Sequence, residues 1–206
     1  MFKNFVFDFD GTIVDSGEAI YQNLLDSLKI QAPPFHELRR YPAHKLLSFL
    51  EVHVSKLEIP KVVLQVRSEY KKYLPKLALI KDMNETLLNM HNSGGRLFLC
   101  TSNSAENVHQ FLEIHKLSHA FENVLGTMSI FGKSHGIKRT LKKFKLSPHE
   151  TIYIGDETRD IQAAKKAGIA CASVSWGFNE RTLLETYNPD FLFDDARELL
   201  SLIKKT

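Results

Sequence analysis

Cysteine is scarce in this chain: there are two in 206 residues, Cys100 and Cys171. Each lies inside an apolar run that reads as a buried strand, and no Cys-x-x-Cys or Cys/His ligand spacing accompanies them. A disulfide framework and a zinc module are excluded, and both thiols are expected reduced in the core, which makes the cytoplasm the default location. Long apolar runs are also lacking, none approaching the roughly 20 residues of a membrane span. Only Lys3 stands among the first apolar residues, with no small-residue cleavage site after it, so a secretory signal is not expected. Neither sign of charge dominates: the net charge is +3 and the pI about 8.7. That balance suits a small anionic substrate and falls short of a basic stripe for nucleic acid. The densest basic group, Lys142, Lys143 and Lys145, reads as the solvated side of a helix. The nine histidines are scattered without carboxylate support, and no internal repeat or low-complexity tract is present.

What is plentiful is apolar patterning. With 43% hydrophobic residues, the chain can bury one solid core and a smaller satellite domain. An almost uninterrupted apolar run from Phe2 to Phe9 reads as a strand buried on both faces. From Ser16 to about Leu74 the texture is helical. Ile20, Leu24 and Leu28 form one stripe, stopped by Gln31-Ala32-Pro33-Pro34. Leu46, Leu47, Leu50 and Val54 form a second, and Val63, Val66, Tyr70 and Leu74 a third that is entered through Pro60. Beyond Pro75 helices and strands alternate, which predicts a parallel sheet covered on both faces. Strands are expected at 96–100, 121–125, 151–154, 169–174 and 190–193. Helices are expected after Asp82, after Asn103, around Ile137, from Ile161 to Gly168 and over 196–203. Asp82 with Glu85, and Asn103 with Glu106, read as capping boxes. The expected fold is α/β: a Rossmann-like parallel core over residues 1–14 and 80–206, interrupted by an all-helical cap over 15–79.

Ligands of open parallel sheets collect at the carboxyl ends of the strands, so polar residues just after strands deserve the chemistry. Asp8 and Asp10 follow the first strand. Two residues apart on extended backbone they would leave one face, and like charges that close need a counter-ion, of which a metal is the simplest. Read alone, they equally begin a turn at Gly11. Thr101-Ser102-Asn103 follows the strand ending in Cys100, and such residues either cap a helix or cradle a phosphate. Lys133, in Gly132-Lys133-Ser134, is either a solvated charge or a neutralising one, with Lys138 the weaker candidate. Asp156 and Asp160, four apart, would share a helix face, as dipole partners or as metal ligands.

The stretch Asp8-Phe9-Asp10-Gly11-Thr12-Ile13-Val14-Asp15-Ser16 resembles motif I of the haloacid dehalogenase superfamily. Thr101 falls where that family's motif II ends a strand in Thr or Ser, Lys133 where motif III has its lysine, and Gly155-Asp156-Glu157-Thr158-Arg159-Asp160 resembles motif IV. Their order, with a helical segment between the first two, is similar to the C1-capped branch. Ser173 to Asn179, with Asp194-Asp195, resembles its phosphoglycolate-phosphatase group. The resemblance implies a Mg2+-dependent phosphatase acting on a small phosphorylated metabolite. Asp8 would be the nucleophile and Asp10 the acid and base. Thr101, with Gly11, Ser102 and Asn103, would bind the phosphate, and Lys133 would neutralise it. Asp8, the Asp10 carbonyl and Asp156 would ligate Mg2+, with Asp160 holding a metal-bound water or Lys133. A β-phosphoglucomutase-type mutase, a pyrophosphatase, a nucleotidase and a catalytically idle phosphate-binding domain stay open. So do a monomer or a homodimer, and the cap residues that select substrate. Arg39 and Arg40 either clamp a substrate carboxylate with two bonds or are surface charges, the reading favoured for them, and Phe35 or His36 are candidates for shaping specificity.

Overall fold

A computed structural model describes residues 1–42, 45, 48, 52, 54, 55, 57–126 and 132–203. Six parallel strands form one sheet: β1 (Asn4–Phe7), β2 (Arg96–Thr101), β3 (Phe121–Gly126), β4 (Thr151–Gly155), β5 (Ala170–Val174) and β6 (Phe191–Phe193). Their order is β3-β2-β1-β4-β5-β6. β1 is thus central, with Phe7 opposite both Leu99 of β2 and Ile154 of β4. The strand order reverses beside β1, which makes its carboxyl end the natural ligand crevice.

Alternate residues of the strands serve two cores, as the twofold period of a strand requires. Phe5, Phe7, Leu97, Leu99, Ile152 and Ile154 face α4 (Met83–Asn92), α5 (Ala105–Ile114) and a C-terminal 3-10 helix (Ala196–Leu202). Val6, Phe98, Cys100, Tyr153 and Cys171 face α6 (Lys133–Phe144) and α7 (Thr158–Ala167). Burying one such side chain is worth about 1.5–3 kcal/mol, so the sheet is held firmly on both sides. Both cysteines are reduced and buried, and burial pushes the Cys100 thiol up to about 12. The native protein should therefore resist a disulfide-exchange reagent at pH 8, where only a thiolate reacts. Both thiols should react after denaturation, and rapid native labelling would contradict the packing.

The helical segment between β1 and β2 contains α1 (Gly17–Leu28), α2 (Phe35–Leu38) and α3 (Ile59–Tyr70). Pro60 lies in the first turn of α3, as expected, and Lys29 closes α1 in the left-handed conformation at φ 53°. The proposed stripe residues Leu46, Leu47 and Leu50 lie outside the described residues. The segment rejoins the core through the bridge between Val14 and Leu79.

Three local expectations are corrected. Asp82 does not form a capping box: it takes φ 61° and its carboxylate lies 3.4 Å from Arg197. Ser104, not Asn103, caps α5, its Oγ accepting from the Asn107 N–H at 3.2 Å. The last helical stretch is 3-10, and a short helix, α8 (Arg181–Glu185), adds to the expected set.

Candidate active site

β1 stops at Phe7, so Asp8 is the first residue beyond it, anchored by its N–H to the Ile154 carbonyl at 2.8 Å. Gly11 then turns the chain at φ 72°. A Cβ on Gly11 would come within 2.6 Å of the Phe178 ring and would also meet the Asp156 carboxylate, so the turn accepts glycine alone. Thr12 uses its hydroxyl to bond Oδ1 of Asp156 at 2.7 Å.

The strand ends at Phe7, so the carboxylates of Asp8 and Asp10 are not set side by side on one strand face. Past the end of β1 their carboxylates meet different partners. Oδ2 of Asp8 accepts from Nζ of Lys133, the first residue of α6, and the same ammonium donates to Oδ1 of Asp160. Asp10 is held by Ser16 and Tyr70 on Oδ1, at 2.8 and 2.6 Å, and by Asn103 Nδ2 on Oδ2 at 2.9 Å. Burial lifts the Asp10 carboxyl above the ordinary aspartate range, against the Tyr70 and Ser16 donors, and the charge of Asp8 adds to the lift.

Asp156 lies in the turn ahead of α7 rather than on the helix, so it does not share a helix face with Asp160. Glu157 is the cap, and its N–H donates to Oδ2 of Asp160 at 3.0 Å. The loop after β5 closes over Asp156, with the Phe178 N–H on its Oδ2 at 2.7 Å. Burial raises the Asp156 carboxyl well above normal, and Glu157, Asp160 and Asp8 raise it further. Asp160 is pushed up to about 7 by burial, with Lys133 opposing. Burial also works against the charge of Lys133, but Asp160 and Asp8 outweigh it and hold the ammonium protonated.

Asp8, Asp156 and Asp160 each offer an oxygen within 4.8 Å of the others. Oδ1 of Asp8 is buried and accepts no hydrogen bond from the described residues. Four carboxylates, those of Asp8, Asp156, Glu157 and Asp160, face two cations, Lys133 and Arg159. An orphaned oxygen in a hard, all-oxygen, negatively charged pocket fits a divalent cation. The carboxylate of Asp10 stands outside this cluster.

Thr101 ends β2 and is fully buried, its Oγ1 accepting from the Asn103 N–H at 3.1 Å. Asn107 donates to Oδ1 of Asn103 at 3.1 Å, which leaves the Asn103 amide nitrogen aimed at Asp10. The structure thus brings together Asp8, Asp10, Gly11, Asn103, Lys133, Asp156 and Asp160, while Lys138 is exposed. Phe131, just ahead of Lys133, lies outside the described residues.

The helical segment also contributes. Phe35 packs against Tyr21 and, edge-on, against Phe178, with centroids 5.8 and 5.6 Å apart. Arg39 is not a surface charge: its Nη2 donates to the Ser175 carbonyl at 2.5 Å and its Nε is buried. Arg40 is exposed near Glu180, as expected, and His36 is exposed. Tyr70 had read only as part of an apolar stripe; the signal available was that a buried phenol must find a partner for its hydroxyl.

Residues 5–174 match the haloacid dehalogenase-like hydrolases, and the chain belongs to that family. A phosphoglycolate phosphatase of Synechococcus elongatus is 27% identical over 208 residues, covering 96% of this chain and 95% of its own. The pyrophosphatase PpaX of Anoxybacillus flavithermus is 27% identical, covering 98% and 96%. A solved haloacid dehalogenase-like hydrolase from Streptococcus pneumoniae is 26% identical and superposes with a TM-score of 0.81 over 97% of each chain. Within the family the protein is an enzyme of the phosphatase class. No helix among the described residues is long and apolar enough to cross a membrane.

Proposed function

We propose that the protein is a Mg2+-dependent phosphatase of small phosphate monoesters of the phosphoglycolate kind, working through a phosphoryl group carried on Asp8. The observation that carries this reading is the buried Oδ1 of Asp8, without a hydrogen-bond partner among the described residues, beside Asp156 and Asp160 and opposite Lys133. Asp8, Asp156 and the Asp10 carbonyl would hold Mg2+, with Asp160 supporting from behind through Lys133. Bound there, the ion supplies the positive charge that lets a phosphate dianion approach a carboxylate.

In the first half-reaction an Asp8 oxygen bonds to phosphorus while the ester P–O bond breaks. The Asp10 carboxyl gives its proton to the departing alcohol oxygen. In the second, water attacks phosphorus and loses a proton to Asp10. The bond between Asp8 and phosphorus breaks, and its electron pair returns to the Asp8 carboxylate. Lys133 offsets charge on the transferred group, and Gly11, Thr101, Ser102 and Asn103 bind its oxygens, as strand-end and helix-start donors do.

Residues 1–14 and 80–206 form the catalytic unit in this reading, and 15–79 the cap that selects substrate and excludes water. Buried free thiols support a reducing cytoplasm. The substrate side is a phosphorylated metabolite, without nucleic acid or membrane, served by a monomer or a homodimer.

Phosphate release from a panel of small monoesters and pyrophosphate, with Mg2+ or with a chelator, tests the reading. Mg2+-dependent release, fastest from a phosphoglycolate-like acid, is expected. Preference for pyrophosphate would place the protein with its PpaX-like relatives instead, and release from no member would overturn hydrolysis.

A further inference from the structure

Asp10 is gripped by three separate parts of the chain. Ser16 precedes α1, where a hydroxyl ordinarily accepts from the first turn of its own helix. It makes no such cap and donates to Oδ1 of Asp10 at 2.8 Å. Tyr70 is the last residue of α3 and only 3% exposed. Its hydroxyl reaches the same oxygen at 2.6 Å. Asn103, beyond β2, donates to Oδ2 at 2.9 Å and is itself fixed by Asn107.

A carboxylate oxygen has two lone-pair sites in its plane. Oδ1 has both sites engaged by the hydroxyls of Ser16 and Tyr70, so none is left to face a leaving group. Oδ2 meets one partner among the described residues, the Asn103 amide nitrogen, and keeps a site open. The two oxygens are therefore unequal, and the inequality depends on a hydroxyl delivered by the helical segment.

We propose that Tyr70 is a positioning residue: with Ser16 it locks Oδ1 of Asp10, so that Oδ2 is the oxygen that passes the proton to the leaving group. The cap helix α3 then does more than cover the site. Only when it is seated against the core, where Tyr70 belongs to the same buried cluster as Phe9 and Ile13, does Asp10 hold the orientation that delivers its proton. The inference rests on the phosphatase reading above.

Leaving groups provide the test. An alkyl phosphate such as 2-phosphoglycolate needs its leaving oxygen protonated, whereas p-nitrophenyl phosphate releases a stable anion that does not. kcat/KM, which covers the steps through departure of the leaving group, is measured on both with Mg2+ for the wild type, Tyr70→Phe, Ser16→Ala and Tyr21→Phe. The loss of one hydrogen bond to a charged group predicts that Tyr70→Phe lowers the alkyl-to-aryl ratio by about tenfold to a hundredfold. Ser16→Ala, which strips the other donor from the same oxygen, moves the ratio the same way and carries the test should Tyr70→Phe not fold. Tyr21 donates instead to the Pro33 carbonyl, and its removal should leave the ratio unchanged whatever it does to the cap. An active wild type whose ratio is unaltered by Tyr70→Phe and Ser16→Ala overturns the inference alone. A wild type inactive on both substrates overturns the phosphatase reading and this inference with it.

Discussion

Asp8→Asn abolishes phosphate release, by about 10⁴-fold or more, while leaving the fold intact. An amide cannot act as the nucleophile, and groups that work as one unit with a nucleophile recover little of its loss. The variant should nevertheless fold well. Asp8 is one of several buried carboxylates that Lys133 and Arg159 do not fully balance, and Lys133 keeps Asp160 as a partner when Asp8 is neutral. Thermal melting with a chelator present should show a midpoint equal to or above that of the wild type, and the gain on adding Mg2+ should shrink. Substantial activity in Asp8→Asn would remove the nucleophile from the account. A large fall in melting temperature would show instead that the carboxylate is structural.

Lys133→Met has the second largest effect, and it acts on both chemistry and stability. The side chain is 3% exposed and lies between Asp8 and Asp160, with Glu157 at 3.8 Å. Methionine fits the space but leaves the acids facing one another. Removing one member of a buried ion pair costs about 3–5 kcal/mol, and removing a charge aimed at the transferred group costs about 10²–10³ in kcat. Because a divalent ion can replace part of the missing charge, Mg2+ should stabilise this variant more than the wild type. Urea unfolding with and without Mg2+ measures both effects. A midpoint equal to that of the wild type would mean that the acids are not held ionised around the lysine.

Much of this site could be read from short stretches because its geometry is local. Asp8, Asp10 and Gly11 come within one turn, Asp156 and Asp160 flank one helix start, and Lys133 opens another. The parallel sheet was legible because strands buried on both faces leave nearly continuous apolar runs, and those runs place the polar residues at one end. What escaped depended on contacts distant in sequence. Tyr70 reaches Asp10 across 60 positions, and a helical stripe does not distinguish a phenol that packs from one that donates. Asp82 reads as a cap because caps are acidic, yet its backbone is left-handed and its carboxylate lies beside Arg197, a residue far along the chain. Asn103 gives up capping to Ser104 because its Oδ1, the atom a cap would use, accepts from the Ser104 N–H and from Asn107 Nδ2. Arg39 looked like a solvated charge because the carbonyl it bonds, that of Ser175, lies 136 positions away.

The central claim is that phosphorus is transferred to Asp8, and one measurement reaches it directly. Asp10→Asn, which lacks the base for the second half-reaction, is mixed with Mg2+ and p-nitrophenyl phosphate, whose leaving group needs no proton from Asp10, then quenched in acid. The protein is digested and its peptides are weighed. The account predicts one added phosphoryl group on the peptide that contains Asp8, and none when Asp8 is also changed to Asn. An active wild type whose Asp10→Asn variant carries no phosphoryl group there, or carries it on another residue, would contradict it.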